Sequence, residues 1–206
     1  MEYFIIDDCD TLDVIESLFP FALQNKTSEF VVGVPVFNAL LVKGANEEKY
    51  NHSNYKRLNT PIVDITWTPG GIGLFYPGSY LIGGIVDSEE EAKNIIKKIF
   101  TAISSFFKDN ITRVNRRNDF LVNNKKLSGS FCAKTLNNQY AFGLYINNIA
   151  KTRIIRQTSN NKKDAVVGLA EYSINIDDVV DKIHKQFSEN WTHISTSSLK
   201  DKVVKK

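Results

Sequence analysis

The sequence predicts an α+β domain in which a β-sheet is flanked by helices. Short β-branched runs, punctuated by glycine, proline and asparagine, recur between residues 29 and 146. One long amphipathic segment, 87–107, lies among them, and a second, 176–187, follows them. The chain has 206 residues, 42% hydrophobic, 24% charged and 11% aromatic. That composition supports one folded domain and excludes a disordered chain.

Taken in order, residues 10–24 carry apolar side chains at Leu12, Val14, Ile15, Leu18 and Phe19 behind the capping types Asp10 and Thr11. An early helix is expected there, interrupted near Pro20. The runs 29–37 and 39–43 are β-branched and bounded by Gly33, Pro35 and Gly44, which predicts strands. Residues 44–59 are rich in Asn, Glu and Lys and predict a loop with a short helix. Two further strands, 61–67 and 80–86, are joined by a glycine-rich turn. From Asp87 and Ser88, acids lead into Ile95, Ile96, Ile99, Phe100, Ile103, Phe106 and Phe107, a helix whose apolar stripe should pack on the sheet. Residues 119–122 and 125–131 flank Asn123-Asn124 and predict a hairpin, since asparagine tolerates the positive φ of such turns. A strand over 140–146 and a helix over 176–187, with Val179, Val180, Ile183 and Phe187 on one face, complete the pattern. Beyond Trp191 the chain turns polar and basic, so residues 192–206 are expected to fray. Neither a repeat nor a linker divides residues 1–206, and a single domain is expected.

Lys+Arg number 26 against Asp+Glu 23, a formal charge of +3 that announces no nucleic-acid partner. Arg113, Arg116, Arg117 and the C-terminal lysines form local basic stretches, but no RNA- or DNA-binding module accompanies them. Cys9 and Cys132 match no metal or disulfide spacing. The acidic start MEYFIIDDCD lacks the basic region of a secretion signal, and no apolar run is long enough for a membrane span, so a cytoplasmic protein is expected.

Two segments carry chemistry. In the first, Thr68 to Ser79, the glycines Gly70, Gly71, Gly73 and Gly78 let backbone approach a ligand and expose N–H groups to an anion. Read alone, they are equally ordinary turn residues. The second runs from Arg116 through Asn118 and Asp119 to Lys126, Ser128 and Gly129, placing a lysine beside small residues on a strand. Lys126 by itself also reads as a solvated hairpin lysine, and Asp119 as a turn-flanking carboxylate.

Together the segments resemble the biotin/lipoate protein ligase family, in particular its lipoate ligases and octanoyltransferases. There a glycine-rich strand-turn precedes an Asn-Asp pair and a Lys-x-Ser-Gly strand, here Asn118-Asp119 and Lys126-Leu127-Ser128-Gly129. The resemblance spans residues 30–187, including the stretch from Val166 and the helix after it. It implies a class II aminoacyl-tRNA synthetase/biotin synthetase-like catalytic domain, a mixed β-sheet flanked by helices. It further implies attachment of a lipoyl or octanoyl group to a lysine of a lipoyl-type acyl-carrier domain, with ATP and magnesium in the ligase branch. By the same resemblance Lys126 is catalytic, and Asp119 is a magnesium ligand. Gly70, Gly71, Gly73, Gly78, Ser79, Asn118, Ser128 and Gly129 bind cofactor or substrate.

The sequence also departs from the family. Where the family carries arginine ahead of its glycines, this chain reads Asp64-Ile-Thr-Trp-Thr-Pro-Gly-Gly. The family histidine corresponds to Phe75, its amide residue to Ser79, and a later His-Gly to Phe142-Gly143. A bidentate guanidinium on phosphate is hard to replace, so a catalytically silent, ligand- or protein-binding member is the alternative reading. On an unbroken strand Cys132 would share a face with Lys126 at a distance too great for pairing, and it reads as a structural thiol. His52, His184 and His193 lie away from both motifs.

Overall fold

The computed structural model describes residues 1–6, 19–36, 40–44, 62–65, 72–75, 77–116, 118–148 and 166–204. Its elements in order are β1 (Glu2–Ile5), α1 (Phe19–Gln24), β2 (Phe30–Pro35), β3 (Leu40–Gly44), β4 (Ile62–Ile65), β5 (Ile72–Phe75) and β6 (Tyr80–Val86). After these come α2 (Glu89–Ser104), β7 (Thr112–Val114), β8 (Asp119–Val122), β9 (Lys125–Lys134) and β10 (Tyr140–Ile146). A 3-10 turn (Leu169–Tyr172), α3 (Ile176–Phe187), β11 (Thr192–His193) and α4 (Thr196–Val203) close the chain.

Eight strands form one mixed sheet in the order β11-β1-β2-β6-β10-β9-β8-β7. β1 pairs in parallel with β11 and β2, and the remaining pairs are antiparallel. A separate three-stranded sheet has the order β4-β3-β5. β6 is central and buried along its whole length, as its run of Tyr80-Leu-Ile-Gly-Gly-Ile-Val requires of a strand covered on both faces.

Residues directly opposed across an antiparallel ladder share a face, so the register divides the sheet into two chemistries. One row, Phe120–Ser128–Ile146–Tyr80, lies under the helices. There Ile96, Ile99, Phe100 and Ile103 of α2 and Val179 and Ile183 of α3 join Phe120, Ile146, Tyr80, Ile82 and Leu144 in one buried cluster. The rings of Phe100 and Phe120 stack at 5.2 Å. Helix α2 starts where expected, with the Ser88 hydroxyl accepting from Glu91 N at 3.1 Å and acids in the first turn. The next row, Asp119–Gly129–Tyr145–Leu81–Val34, belongs to the opposite face.

Several expectations are corrected. Residues 192–206 do not fray as a unit: β11 pairs with β1, and α4 buries Leu199 and Val203 completely. The basic side chains there lie over aromatic rings, Lys202 at 5.0 Å from Phe4 and Lys200 at 5.8 Å from Phe21. The backbone carbonyl of Val203 accepts from Ser28 N at 2.7 Å. Within the glycine-rich stretch, read as a turn, residues 72–75 form β5 antiparallel to β3. Pro20 sits in the first turn of α1, where its missing N–H interrupts nothing. The earlier part of that expected helix and the segment 45–59 lie outside the described residues. Strands β1, β7 and β11 were not expected. Among the described residues no helix is long and apolar enough to cross a membrane.

Candidate functional site

Strands β8 and β9 form the expected hairpin, with Asn123 and Asn124 at positive φ in its turn. The register shifts between Phe120 and Leu121: Phe120 opposes Ser128, but Leu121 opposes Lys126. Leu127 is therefore the extra residue of a β-bulge. A bulge reverses the in-out alternation beyond it. Leu127 and Ser128 are buried on the helix side, and Lys126 emerges on the opposite face beside Asp119 and Gly129. The chain from Val166 lies next to it, with Val167 N donating to Lys126 O at 2.9 Å.

Lys126 Nζ stands 2.6 Å from Asp119 Oδ1, the lysine side chain 37% exposed and the carboxylate 8%. The tight turn before β8 places the acid. Asn115 N donates to Asp119 O, Asn118 N donates to Asn115 O, and Asp119 N donates to Asn115 Oδ1. Asn118 takes the left-handed conformation that this turn needs, with φ of 58°. Asn115 Nδ2 donates to Asp119 Oδ2 at 2.9 Å, so each carboxylate oxygen has a partner. Gly129 supplies the floor beneath the pair. A Cβ there would meet Lys126 Nζ at 2.9 Å and Asp119 Oδ1 at 3.3 Å.

Ser79 reaches the same face from the end of the glycine-rich segment. Gly78 N donates to Val36 O, and Ser79 is buried directly before β6. The Ser79 hydroxyl oxygen accepts from Tyr145 Oη and from Asn148 N, both at 3.2 Å. Tyr145 opposes Gly129 across the β10–β9 ladder. A polar strip thus runs from Ser79 through Tyr145 and Gly129 to Lys126, Asp119 and Asn115. It gathers Gly78, Ser79, Asp119, Lys126 and Gly129 from the expected set and adds Asn115 and Tyr145. Asn115 was signalled only by an Asx residue four before Asp119. Tyr145 was signalled by the parity it shares with Ala141 and Gly143.

The remaining expected residues fall elsewhere. Ser128 lies in the row under the helices, fully buried, and its hydroxyl has no hydrogen-bond partner among the described residues. Asn118 is exposed and contributes through its backbone, its carbonyl accepting from Ser130 Oγ at 2.9 Å. Gly73 is on β5 opposite Val42, and Gly70 and Gly71 lie outside the described residues.

No family model matches the chain, and no curated protein matches its sequence. The folded structure has clear counterparts. P. falciparum LipL1 in complex with lipoate superposes with a TM-score of 0.75 at 15% identity, over 94% of this chain and 66% of that one. This chain has the biotin/lipoate protein ligase fold. A lipoate-protein ligase A bound with ATP gives a TM-score of 0.75 at 12% identity, over 98% of this chain and 93% of that one. The bipartite lipoate protein ligase of Thermoplasma acidophilum, described with its E2 lipoyl domain, gives 0.71 at 14% identity, over 98% and 91%. The chain therefore spans just under two thirds of the first protein's length and more than nine tenths of the other two.

Other reactive groups among the described residues lie away from the strip. The bulge at Leu127 puts Cys132 on the helix-covered face, against the parity expected of an unbroken strand. Burial, then the Glu89 carboxylate, pushes its thiol pKa up, with Lys93 pulling the other way, so it stays protonated. An open cleft of about 400 Å³ is lined by Tyr3, Glu91, Asn94, Lys98 and Phe187, and none of the expected site residues borders it. Among the described residues no group of three or more His, Cys, Asp or Glu is placed to hold a metal. The Asp119 oxygens are engaged by Lys126 at Oδ1 and Asn115 at Oδ2.

Proposed function

We propose that this chain attaches a lipoyl or octanoyl group to a lysine of a lipoyl-type acyl-carrier domain. Either ATP activates the free acid, or the acyl group arrives as a carrier thioester. The observation that carries this reading is the presentation of Lys126 by the bulge, over Gly129 and against Asp119. Support comes from the fold shared with a lipoate complex, an ATP complex and a ligase described with its lipoyl domain.

On the ATP route a carboxylate oxygen of the acid attacks the α-phosphorus, and pyrophosphate leaves to give an acyl-adenylate. The carrier lysine's neutral amine then attacks the acyl carbon of the adenylate or thioester, and an amide bond forms. AMP or the carrier thiolate leaves with the electron pair of the broken bond, and the amine's proton passes to the leaving group or to water. Lys126 is not the nucleophile. Its ammonium stabilises the negative charge that grows on acyl or phosphoryl oxygen, as a fixed cation aimed at developing charge does. Asp119, itself held by Asn115, orients that ammonium, and Gly129 leaves it room. Ser79 and Tyr145 supply hydroxyls at the other end of the strip. Magnesium, where the ATP route is used, would neutralise phosphate charge.

The test is the intact mass of a lipoyl-type carrier domain after incubation with the chain. One arm contains ATP, magnesium and lipoate or octanoate; the other contains octanoyl-carrier thioester without ATP. Lys126→Ala should slow single-turnover transfer by roughly a hundredfold or more, with circular dichroism unchanged. Lys126→Arg should restore it only in part, because a planar guanidinium does not occupy the same point. Equal, measurable rates in wild type and Lys126→Ala would remove the lysine from the mechanism. A second reading, a silent domain that binds ligand without turnover, draws on the existing neutralisation of Lys126 by Asp119. It is adopted if neither arm changes the carrier's mass while a folded wild type still binds acyl ligand.

A further inference from the structure

Lys126 is already paired with Asp119, yet activation of a carboxylic acid by ATP brings a chain of phosphates to this face. Beside magnesium, a second positive group on this face would hold those phosphates. Strand β7 supplies one. Its Thr112 hydroxyl meets Ser104 of α2 at 2.8 Å, so even-numbered residues of this strand face the helices. Asn115, of the opposite parity, reaches Asp119 on the other face. Arg113 shares that parity and lies in the row Arg113–Leu121–Lys126, opposed to Leu121 by β7–β8 pairing as Leu121 is to Lys126 by β8–β9 pairing. Two strand spacings, about 10 Å, separate the backbones of Arg113 and Lys126, with both side chains rising from the same face. Arg113 is exposed and makes no ion pair among the described residues.

We propose that Arg113 anchors the phosphate chain of a nucleoside triphosphate on this face, across Leu121 from Lys126. This rests on reading the strip as an acyl-activating site, and it assigns the residue that holds the nucleotide there. In the activating step a carboxylate oxygen of the acid attacks the α-phosphorus, the bond from that phosphorus to the bridging oxygen breaks, and pyrophosphate leaves with the electron pair. A guanidinium grips phosphate oxygens in pairs, so Arg113 holds the departing pyrophosphate while Lys126 stays at the α-phosphate and carboxylate oxygens. It also offers a positive group to a chain whose glycine-rich segment, from Asp64 to Gly71, contains no arginine. Lys125 provides an internal control. It opposes Val122, a member of the helix-side core, and therefore lies on the other face.

Calorimetric titration of the intact chain with ATP and magnesium tests this independently of turnover. Arg113→Ala should weaken ATP binding about tenfold or more, Arg113→Lys should recover part of it, and Lys125→Ala should leave it unchanged. With octanoate as co-substrate, Arg113→Ala should raise KM for ATP far more than it lowers kcat. Binding by the wild type should weaken with added salt, and that dependence should be shallower in Arg113→Ala. Equal affinities for wild type and Arg113→Ala overturn the proposal. So does a wild type that binds no ATP, even if it transfers octanoyl from a thioester, an outcome that leaves the acyl-transfer reading standing. Absence of carrier modification in both arms, with ATP binding still lost in Arg113→Ala, overturns that reading instead and retains the nucleotide site.

Discussion

Gly129 decides where the Lys126 ammonium can stand. The lysine folds back over a position without a Cβ, and this lets Nζ reach Asp119 at 2.6 Å. Gly129→Ala would bring a carbon to 2.9 Å from Nζ, and the ammonium must retreat by about half an ångström to restore ordinary contact. The end of a lysine gives way easily and this one is more than a third exposed, so the fold should lose about 1 kcal/mol or less. Catalysis is less forgiving, because a charge displaced from its developing partner loses much of its effect. Transfer should fall about tenfold or more while the thermal midpoint moves by only a few degrees. A Gly129→Ala variant with the wild-type single-turnover rate would show that this close packing does not position Lys126. The same residue explains a limit of sequence reading. The Lys-x-Ser-Gly pattern marked Lys126 and Gly129, but the bulge that separates them from Ser128 is a property of pairing with β8.

At the scale of elements, the last helix carries the sharpest test. Leu199 and Val203 of α4 are fully buried although the segment around them is polar and basic. Leu199→Ala should therefore cost about 2–5 kcal/mol, the usual range for a core leucine, as read by urea unfolding. A cost near zero would mean that the segment is not docked. Elements with strong local patterns were legible: α2 and α3 through their apolar stripes, β6 and β10 through their apolar runs, and the β8–β9 hairpin through its asparagine turn. The short edge strands β7 and β11, Thr112–Val114 and Thr192–His193, were not. Few of their residues are buried, so neither period nor composition marks them, and only partners distant in sequence make them strands. For the same reason Arg113 could be named as a cation from sequence but not assigned to a face. The strand at residues 72–75 was hidden by the turn-forming glycines around it.

Across the whole molecule, adjacent residues at the start of β6 serve opposite faces. Ser79 joins Tyr145 in the polar strip, whereas Tyr80 points under the helices and fastens α3 to the sheet. Gly33 makes room for the Tyr80 ring, since a Cβ on it would collide with the hydroxyl. That hydroxyl lies 3.1 Å from His184 Nε2, and the His184 ring stacks on Trp191 with centroids 4.1 Å apart. Trp191 Nε1 donates to the His184 carbonyl, linking α3 to the chain leading into β11. Burial lowers the His184 pKa from 6.5 to about 4; Asp181 opposes the shift and His193 adds to it. The folded histidine is consequently neutral at pH 5–6, and its Nε2 shares a hydrogen bond with the Tyr80 hydroxyl whose direction follows the tautomer. Between pH 6.5 and about 4 the unfolded chain binds a proton at this position that the folded chain refuses, so stability falls as pH drops through that window. The effect is absent above pH 6.5 and levels off below about pH 4. For a partly exposed imidazole it should be on the order of 1 kcal/mol. Glu91, whose pKa is raised first by burial and then by Glu29, titrates elsewhere on the surface, so the informative quantity is a difference between variants. His184→Gln keeps a hydrogen-bond acceptor for Tyr80 but cannot take up a proton. Urea unfolding at pH 7.5, 5.5 and 4.5 should give a shallower loss of stability in His184→Gln than in the wild type. Parallel losses in the two proteins would place the acid sensitivity of the fold outside the junction of Tyr80, His184 and Trp191.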